Sequence, residues 1–350
     1  MTTPVTDVHA HAIIPEVEAV VAGQEGLARH RLLDAQRNGE ESLAVSGKMV
    51  AQRIPQLTSV ERRLRDMDAA GIDVQVVSPS PSQYHYWADE DLAMTLCRSA
   101  NRGIAALVAE EPDRFVGLGL APLQHPHLCV AALDDAVHGC GLAGIEISSH
   151  AQYAEGEGTV ELSDSRLEPL WERAEELGAV IFLHPFGCTL DARLDRFYLS
   201  NTVGQPVENA TALSHLIFSG VLDRHPALEI IAAHGGGYLP TYLGRSDHAW
   251  RVRPEARRCA QLPSSYLSRI TFDSLVHGSG ALRALVEAVG SERVVLGSDY
   301  PFDMGSDDPV GEINSAGFDL AASRRLLGGN AARLGLIPDN TRSHTPGVPS

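Results

Sequence analysis

The chain reads as an α/β protein, a distorted (β/α)8 TIM barrel with a small insertion after the first strand. Three observations lead there. Short apolar runs recur at eight places, and most are too uniformly apolar to leave a solvent face, as in strands buried on both sides. Helical patterns fall between these runs, so the chain alternates strand and helix as parallel βαβ units do. No Pro-, Gly- or Ser-rich linker and no internal repeat divides the 350 residues. Eight strands without a boundary fit one closed barrel better than two domains.

The runs are residues 5–8, 74–78, 115–120, 143–147, 180–183, 229–232, 270–273 and 294–297. Residues from about 16 to 58 follow the first run and are too many for an ordinary strand–helix loop. An inserted subdomain or lid is expected there. Residues 59–70 place Val60, Leu64 and Met67 on one side of a helix, and 89–111 repeat Ala, Leu and Met at helical spacing. Residues 165–177 carry Leu167, Leu170, Trp171 and Ala174 in the same way, and 207–220 and 280–289 complete the helical set. The barrel domain is expected over 1–336. The polar, three-proline end at 337–350 reads as a flexible tail.

Composition narrows the function. The net charge of −17 argues against nucleic acid and against an anionic membrane surface as partner. It does not exclude an acidic substrate, because a metal or a few arginines can set the local field. The chain opens without a basic-then-apolar leader, and no apolar run is long enough to span a bilayer. Five cysteines without a C-x-x-C pair read as buried thiols of a reduced, cytoplasmic protein.

The fifteen histidines are more informative, because several fall at strand ends. Barrel active sites lie at the C-terminal ends of the strands. Here the first strand ends in His9-Ala10-His11, the fifth in His184-Pro185, the sixth in His234-Gly235-Gly236-Gly237 and the eighth in Ser298-Asp299-Tyr300-Pro301. Residues two apart in a strand face one side, so His9 and His11 point together into the mouth, where His184 and Asp299 can join them. A single H-x-H is weak evidence, since a buried histidine can simply bond a neighbouring strand. Four strand ends converging on one face are not. Three imidazoles and a carboxylate suit one Zn²⁺ per subunit, and the same donors accommodate Fe²⁺, Co²⁺ or Mn²⁺. His234 is then left over as a base that activates a metal-bound water, a fifth ligand, or a contact beneath the glycines. The glycines after it permit close backbone approach or positive φ.

These residues, taken with further segments, make the chain resemble the aminocarboxymuconate-semialdehyde decarboxylase-like family of the amidohydrolase superfamily. The resemblance runs from Asp7-Val8-His9-Ala10-His11 to Gly329-Asn330-Ala331. It includes Arg63-Leu64-Arg65-Asp66-Met67-Asp68, Tyr86-Trp87-Ala88, Arg114-Phe115-Val116-Gly117-Leu118-Gly119, His234-Gly235-Gly236-Gly237 with Gly244-Arg245, Leu275-Val276-His277 and Leu296-Gly297-Ser298-Asp299-Tyr300-Pro301-Phe302. It implies one zinc ion held by His9, His11, His184 and Asp299, with His234 and Asp299 in the catalytic machinery. It also implies a homodimer in which Arg245 reaches across the interface to a substrate carboxylate, with Arg53 as the nearest counterpart of a second substrate arginine. A bidentate arginine would fix a carboxylate in an otherwise acidic protein. The stretch 197–206 departs from the family pattern: polar residues such as Ser200 and Asn201 stand where a relative carries tryptophan, which alters one pocket wall. Tyr84, Tyr86 and Trp87 either stack on a planar substrate or fill the core under the insertion.

The reaction this implies is non-oxidative decarboxylation of a small unsaturated or aromatic carboxylic acid, either 2-amino-3-carboxymuconate-semialdehyde-like or hydroxybenzoate-like. The alternative is a metal-dependent hydrolase of an amide, lactone or C–C bond using the same zinc-hydroxide.

Overall fold

The apolar runs become the staves of the barrel. A computed structural model describes residues 3–152, 158–188 and 190–338. The strands, first to eighth, are Thr6–Ala12, Val74–Pro79, the segments Phe115–Gly117 and Gly119–Leu120 taken together, Gly144–Ile147, Val180–Leu183, Glu229–Ala232, Ile270–Asp273 and Val294–Val295. Each pairs in parallel with its neighbour. The third strand breaks at Leu118, whose N–H donates to the Val77 carbonyl at 2.9 Å. One segment pairs with the second strand and the other with the fourth. The seam between the eighth and first strands is closed by Val8 N–H on the Leu296 carbonyl (2.9 Å) and Asp299 N–H on the His9 carbonyl (2.8 Å). Ala10 also bridges to Tyr300. Two candidate site residues therefore help to close the barrel.

Strand residues alternate between two layers although both are buried. In the fifth strand Val180 and Phe182 belong to the barrel interior, with Val8, Val76, Leu118, Ile231 and Val295. Ile181 and Leu183 pack outward against the helices. Register in the first strand shifts between Asp7 and Ala10, a bulge of the kind that re-aims side chains beside active sites.

The helix Glu90–Glu110 is capped by the Asp89 carboxylate, which accepts from Leu92 N–H, and it buries Ala93, Leu96, Cys97, Ala100 and Ile104. The helix Val60–Ala70 corrects an expectation. Its buried residues are Arg63 and Met67, while Val60 and Leu64 are only partly buried. Apolar spacing could not place an arginine there. The guanidinium is accommodated because it donates to Gln75 Oε1 (2.8 Å), to the His11 carbonyl (2.6 Å) and to the Gln56 carbonyl (3.2 Å).

Residues 15–58 form three helices, Pro15–Val21, Glu25–Asn38 and Glu40–Thr58. Gly39, at φ 79°, joins the last two. A side chain there would collide with the Asp195 carbonyl, so these helices lie against the loop after the fifth strand. An antiparallel hairpin, His150–Gln152 with Thr159–Glu161, follows the fourth strand and had no signal in the sequence pattern. Of the tail expected from 337, Ile337 is buried, and residues from 339 onward lie outside the described residues. Among the described residues, no helix is long and apolar enough to cross a membrane.

Candidate metal centre and substrate cavity

Four of the expected residues bring one donor atom each to within 4.8 Å of one another: His9, His184, His234 and Asp299. His11 stands beside them, its Nε2 3.2 Å from Asp299 Oδ1. His9 Nε2 lies 3.3 Å from the same oxygen, and His234 Nε2 lies 3.8 Å from Asp299 Oδ2. The ring of His184 is 4.9 Å, centre to centre, from those of His9, His11 and His234. All five residues that the strand ends single out therefore meet at one point in the mouth.

The donor atoms there are buried and unsatisfied. His9 Nε2, His11 Nε2, both nitrogens of His184, His234 Nδ1 and Asp299 Oδ1 have no hydrogen-bond partner. Buried polar atoms are nearly always paired, so His9 Nε2, His11 Nε2, Asp299 Oδ1 and one nitrogen of His184, gathered here, ask for a common partner. A set of imidazoles and a carboxylate is the chemistry a divalent first-row cation takes. The residues fit such an ion.

The other side of each group is tied down. Asp273, at the end of the seventh strand, accepts from His9 Nδ1 at 2.6 Å through Oδ2 and from Gly235 N–H at 2.8 Å through Oδ1. One carboxylate thus orients His9 and anchors the turn that carries His234. Behind His11, Ser78 Oγ is 3.2 Å and Glu146 Oε2 is 3.6 Å from Nδ1. Glu146 also accepts from the Ser78 and Tyr84 hydroxyls. Such outer contacts set the tautomer and the aim of a ligating histidine.

The electrostatics follow from burial and crowding. Burial works against a charged His9, but the Asp299 and Asp273 carboxylates outweigh it and push its pKa up to about 10. Burial, and then the neighbouring His11, His234 and His9, hold His184 well below the ordinary imidazole value. Burial alone would raise Asp299. The charge of His9 and the close approach of the His11, His234 and His9 rings instead hold it well below the usual carboxylate range. Burial raises Glu146 against the pull of His11, Ser78 and Tyr84.

His234 and Asp299 both adopt left-handed backbone, at φ 53° and 58°. For residues with a side chain this conformation is costly and is found preferentially at functional sites. Gly235, Gly236 and Gly237 continue at positive φ. A Cβ on Gly235 would meet Val276 at 2.5 Å, and one on Gly237 would meet the Pro206 carbonyl at 2.2 Å. The turn needs glycine for both reasons the sequence left open.

Beside the centre lies a cavity of about 620 Å³ whose wall includes His234, Asp299, Asn201, Gln205, Tyr238 and His277. Asn201 is the one residue of the four expected substrate contacts on that wall. Arg53 lines a separate cavity of about 250 Å³ with Arg62 and Tyr300. Arg245 is exposed on the helix Gly244–Val252 and is not on the cavity wall. Trp87 is half-buried, and a side chain on Gly26 of the second helix would strike its ring. Trp87 thus packs against the second helix, Glu25–Asn38. Asp273, Glu146, Gln205 and His277 were not assigned roles from the sequence. The strand-end rule would have found Asp273 had it been applied to the seventh strand.

The amidohydrolase family model matches residues 6–334. The chain belongs to the amidohydrolase family. It is 34% identical over 339 residues to the 2-amino-3-carboxymuconate-6-semialdehyde decarboxylase of Dictyostelium discoideum, covering 95% of this chain and 92% of that one. It is 31% identical over 255 residues to a gamma-resorcylate decarboxylase of Rhodococcus jostii, covering 69% and 77%. Among solved structures, a dihydroxybenzoic acid decarboxylase of Polaromonas, determined with bound manganese and an inhibitor, superposes with a TM-score of 0.79 at 23% identity. That match covers 95% of this chain and 97% of the other. The two relatives matched in sequence are named as decarboxylases, which are carbon–carbon lyases, and this puts the lyase expectation ahead of the hydrolase.

Proposed function

We propose that the protein is a metal-dependent, non-oxidative decarboxylase of a small unsaturated or aromatic carboxylic acid, of the aminocarboxymuconate-semialdehyde or hydroxybenzoate type. The observation that carries this reading is the cluster of unpartnered, buried donors opening onto a cavity in a chain whose relatives are decarboxylases. His9, His11, His184 and Asp299 would hold one divalent ion. Zn²⁺ suits the donors, and Mn²⁺, the ion in the Polaromonas enzyme, suits them too. When bound, the ion supplies Lewis-acid polarisation of a substrate oxygen.

The chain's own residues do the rest. Asp273 and Glu146 keep the first-strand histidines aimed. His234, on the cavity wall with one ring nitrogen unpaired, holds and moves a proton. When the carboxylate leaves as CO₂, the electron pair of the broken C–C bond stays on carbon, which takes up a proton; His234 is the group placed to manage it. Asn201 contacts the substrate from the wall. Arg245, exposed on its own subunit, reaches a substrate only from a second copy, so its role requires a homodimer. Arg53 and Trp87 act through the helices of residues 15–58, the insertion of this reading.

The test is CO₂ release. Protein loaded with Zn²⁺ or with Mn²⁺ should liberate CO₂ from aminocarboxymuconate semialdehyde or from a hydroxybenzoate, with no net consumption of water. Hydrolysis of an amide or lactone, without CO₂ from any acid tried, would overturn the proposal in favour of the hydrolase.

A further inference from the structure

Two residues before His9, the first strand carries a carboxylate that belongs neither to the donor cluster nor to the cavity wall. Asp7 is fully buried, and four hydrogen bonds from described residues converge on it. Its Oδ1 accepts from His9 N–H at 3.1 Å and from Ser298 N–H at 3.0 Å. Its Oδ2 accepts from the Ser298 hydroxyl at 2.6 Å and from Gln75 Nε2 at 2.9 Å. Arg63 donates to Gln75 Oε1, so that amide turns its NH2 toward Asp7. A carboxylate accepts about four such bonds, so the lone pairs of Asp7 are taken up.

These bonds fall where the backbone of the centre is least regular. The first strand slips register between Asp7 and Ala10, and the His9 N–H inside that bulge finds its acceptor in the Asp7 side chain. Asp299 holds left-handed backbone at φ 58°, a conformation that persists where the surroundings impose it. Both of its neighbours are tied to Asp7. Ser298 is held directly, and Tyr300 through its N–H on Ser298 Oγ at 3.2 Å. Asp299 N–H itself is on the His9 carbonyl. Residues 298, 299 and 300 are thus each pinned toward the first strand, two of them through Asp7. A buried charge is a costly way to close a seam that backbone bonds already close.

We propose that Asp7 is a positioning residue of the metal centre. Through Ser298 it sets the aim of the Asp299 carboxylate, and through the His9 N–H it sets the aim of the His9 ring. Donors from the first and the last strand are thereby brought to one ion. The inference rests on the metal-dependent reading of the centre and is independent of the reaction catalysed there.

The test is ion binding by the full chain, with Co²⁺ as the probe. Affinity is measured by chelator competition, and the visible absorption of bound Co²⁺ reports the geometry of its donors. Asp7→Asn keeps the size and an acceptor for the two backbone N–H groups, but it sets an NH2 against that of Gln75. It should weaken Co²⁺ binding by about 10–100-fold and shift the visible bands. Ser298→Ala removes the hydroxyl alone and should move both readouts in the same direction, with a loss of about tenfold in affinity. A merely structural Asp7 would lower the urea midpoint of the ion-free protein and move neither readout. Wild-type affinity and spectrum in both variants would therefore overturn the proposal, and Ser298→Ala decides alone if Asp7→Asn does not fold. A wild-type protein that takes up no Co²⁺ would count against the metal reading itself, and the role of Asp7 would fall with it.

Discussion

On the side of the first, second and fourth strands the barrel mouth is filled. Arg63 is buried and spans Gln75 and the His11 carbonyl, Tyr84 reaches Glu146, and Glu146 backs His11. On the side of the sixth to eighth strands the mouth opens into the cavity, lined by glycine turns and by residues with spare polar atoms. The filled side is a network that pairs Arg63, Ser78, Tyr84 and Glu146, behind the His9 and His11 ring nitrogens left unpaired beside Asp299. The open side holds its unused hydrogen-bonding capacity toward a ligand. The difference separates holding from reacting: substitutions on the filled side should cost stability and metal affinity, and those on the open side should cost turnover.

The largest effect expected is on the open side. His234→Asn should lower CO₂ release by roughly 10²–10⁴-fold, the range for losing a general acid–base group, with metal content unchanged by elemental analysis. Asparagine suits the backbone there, so a folded but slow protein is the expected outcome. Equal loss of metal would mean that His234 serves as a ligand instead. Next is Arg63→Met on the filled side, which strands the buried His11 carbonyl and Gln75 Oε1. It should cost about 3 kcal/mol in urea unfolding while activity per folded molecule is largely kept. Asp273→Asn tests the joint between the two sides. It keeps an acceptor for Gly235 N–H but weakens the bond to His9 Nδ1, and metal affinity measured by chelator competition should fall about 10–100-fold.

The smallest effect is a pH dependence. His85 is pushed down to about 4, by burial and then by the nearby charge of His30. Its folded pKa is thus below the unfolded value of 6.5, so the unfolded chain binds the proton more readily. Its contribution is fully present above 6.5 and is lost as pH falls toward 4. Unfolding free energy should therefore drop by roughly 1–2 kcal/mol between about pH 7 and about pH 5, and less in a His85→Asn variant.

The donors at the mouth were the most legible part of the sequence. His9, His11, His184, His234 and Asp299 announce themselves because a strand end has little other use for an imidazole, and all five meet in the structure. The eight strands were legible for a related reason, since continuous apolar runs have few other readings. The filled side was not. Glu146 in the fourth strand and Arg63 in a helix look like solvent-facing charges until their partners, far away in sequence, are known. Gln205 was missed because an ordinary helix-initial glutamine gives no sign that its side-chain oxygen is buried and unpaired, and Arg245, exposed on its own subunit, needs a second copy that one chain does not show.

The seam has a consequence in time. Ser298 hydrogen-bonds Asp7 across 291 residues of chain, and its neighbour Asp299 bonds the His9 carbonyl. The donors that lie closest in space are thus among the first and the last parts of the barrel to leave the ribosome. A nascent chain can hold His9 and His11 for almost the whole of its synthesis without owning the centre they belong to. Ion capture is therefore a late event, coupled to the last strand docking beside the first, and a chain stopped before residue 299 should neither retain the ion nor close its barrel.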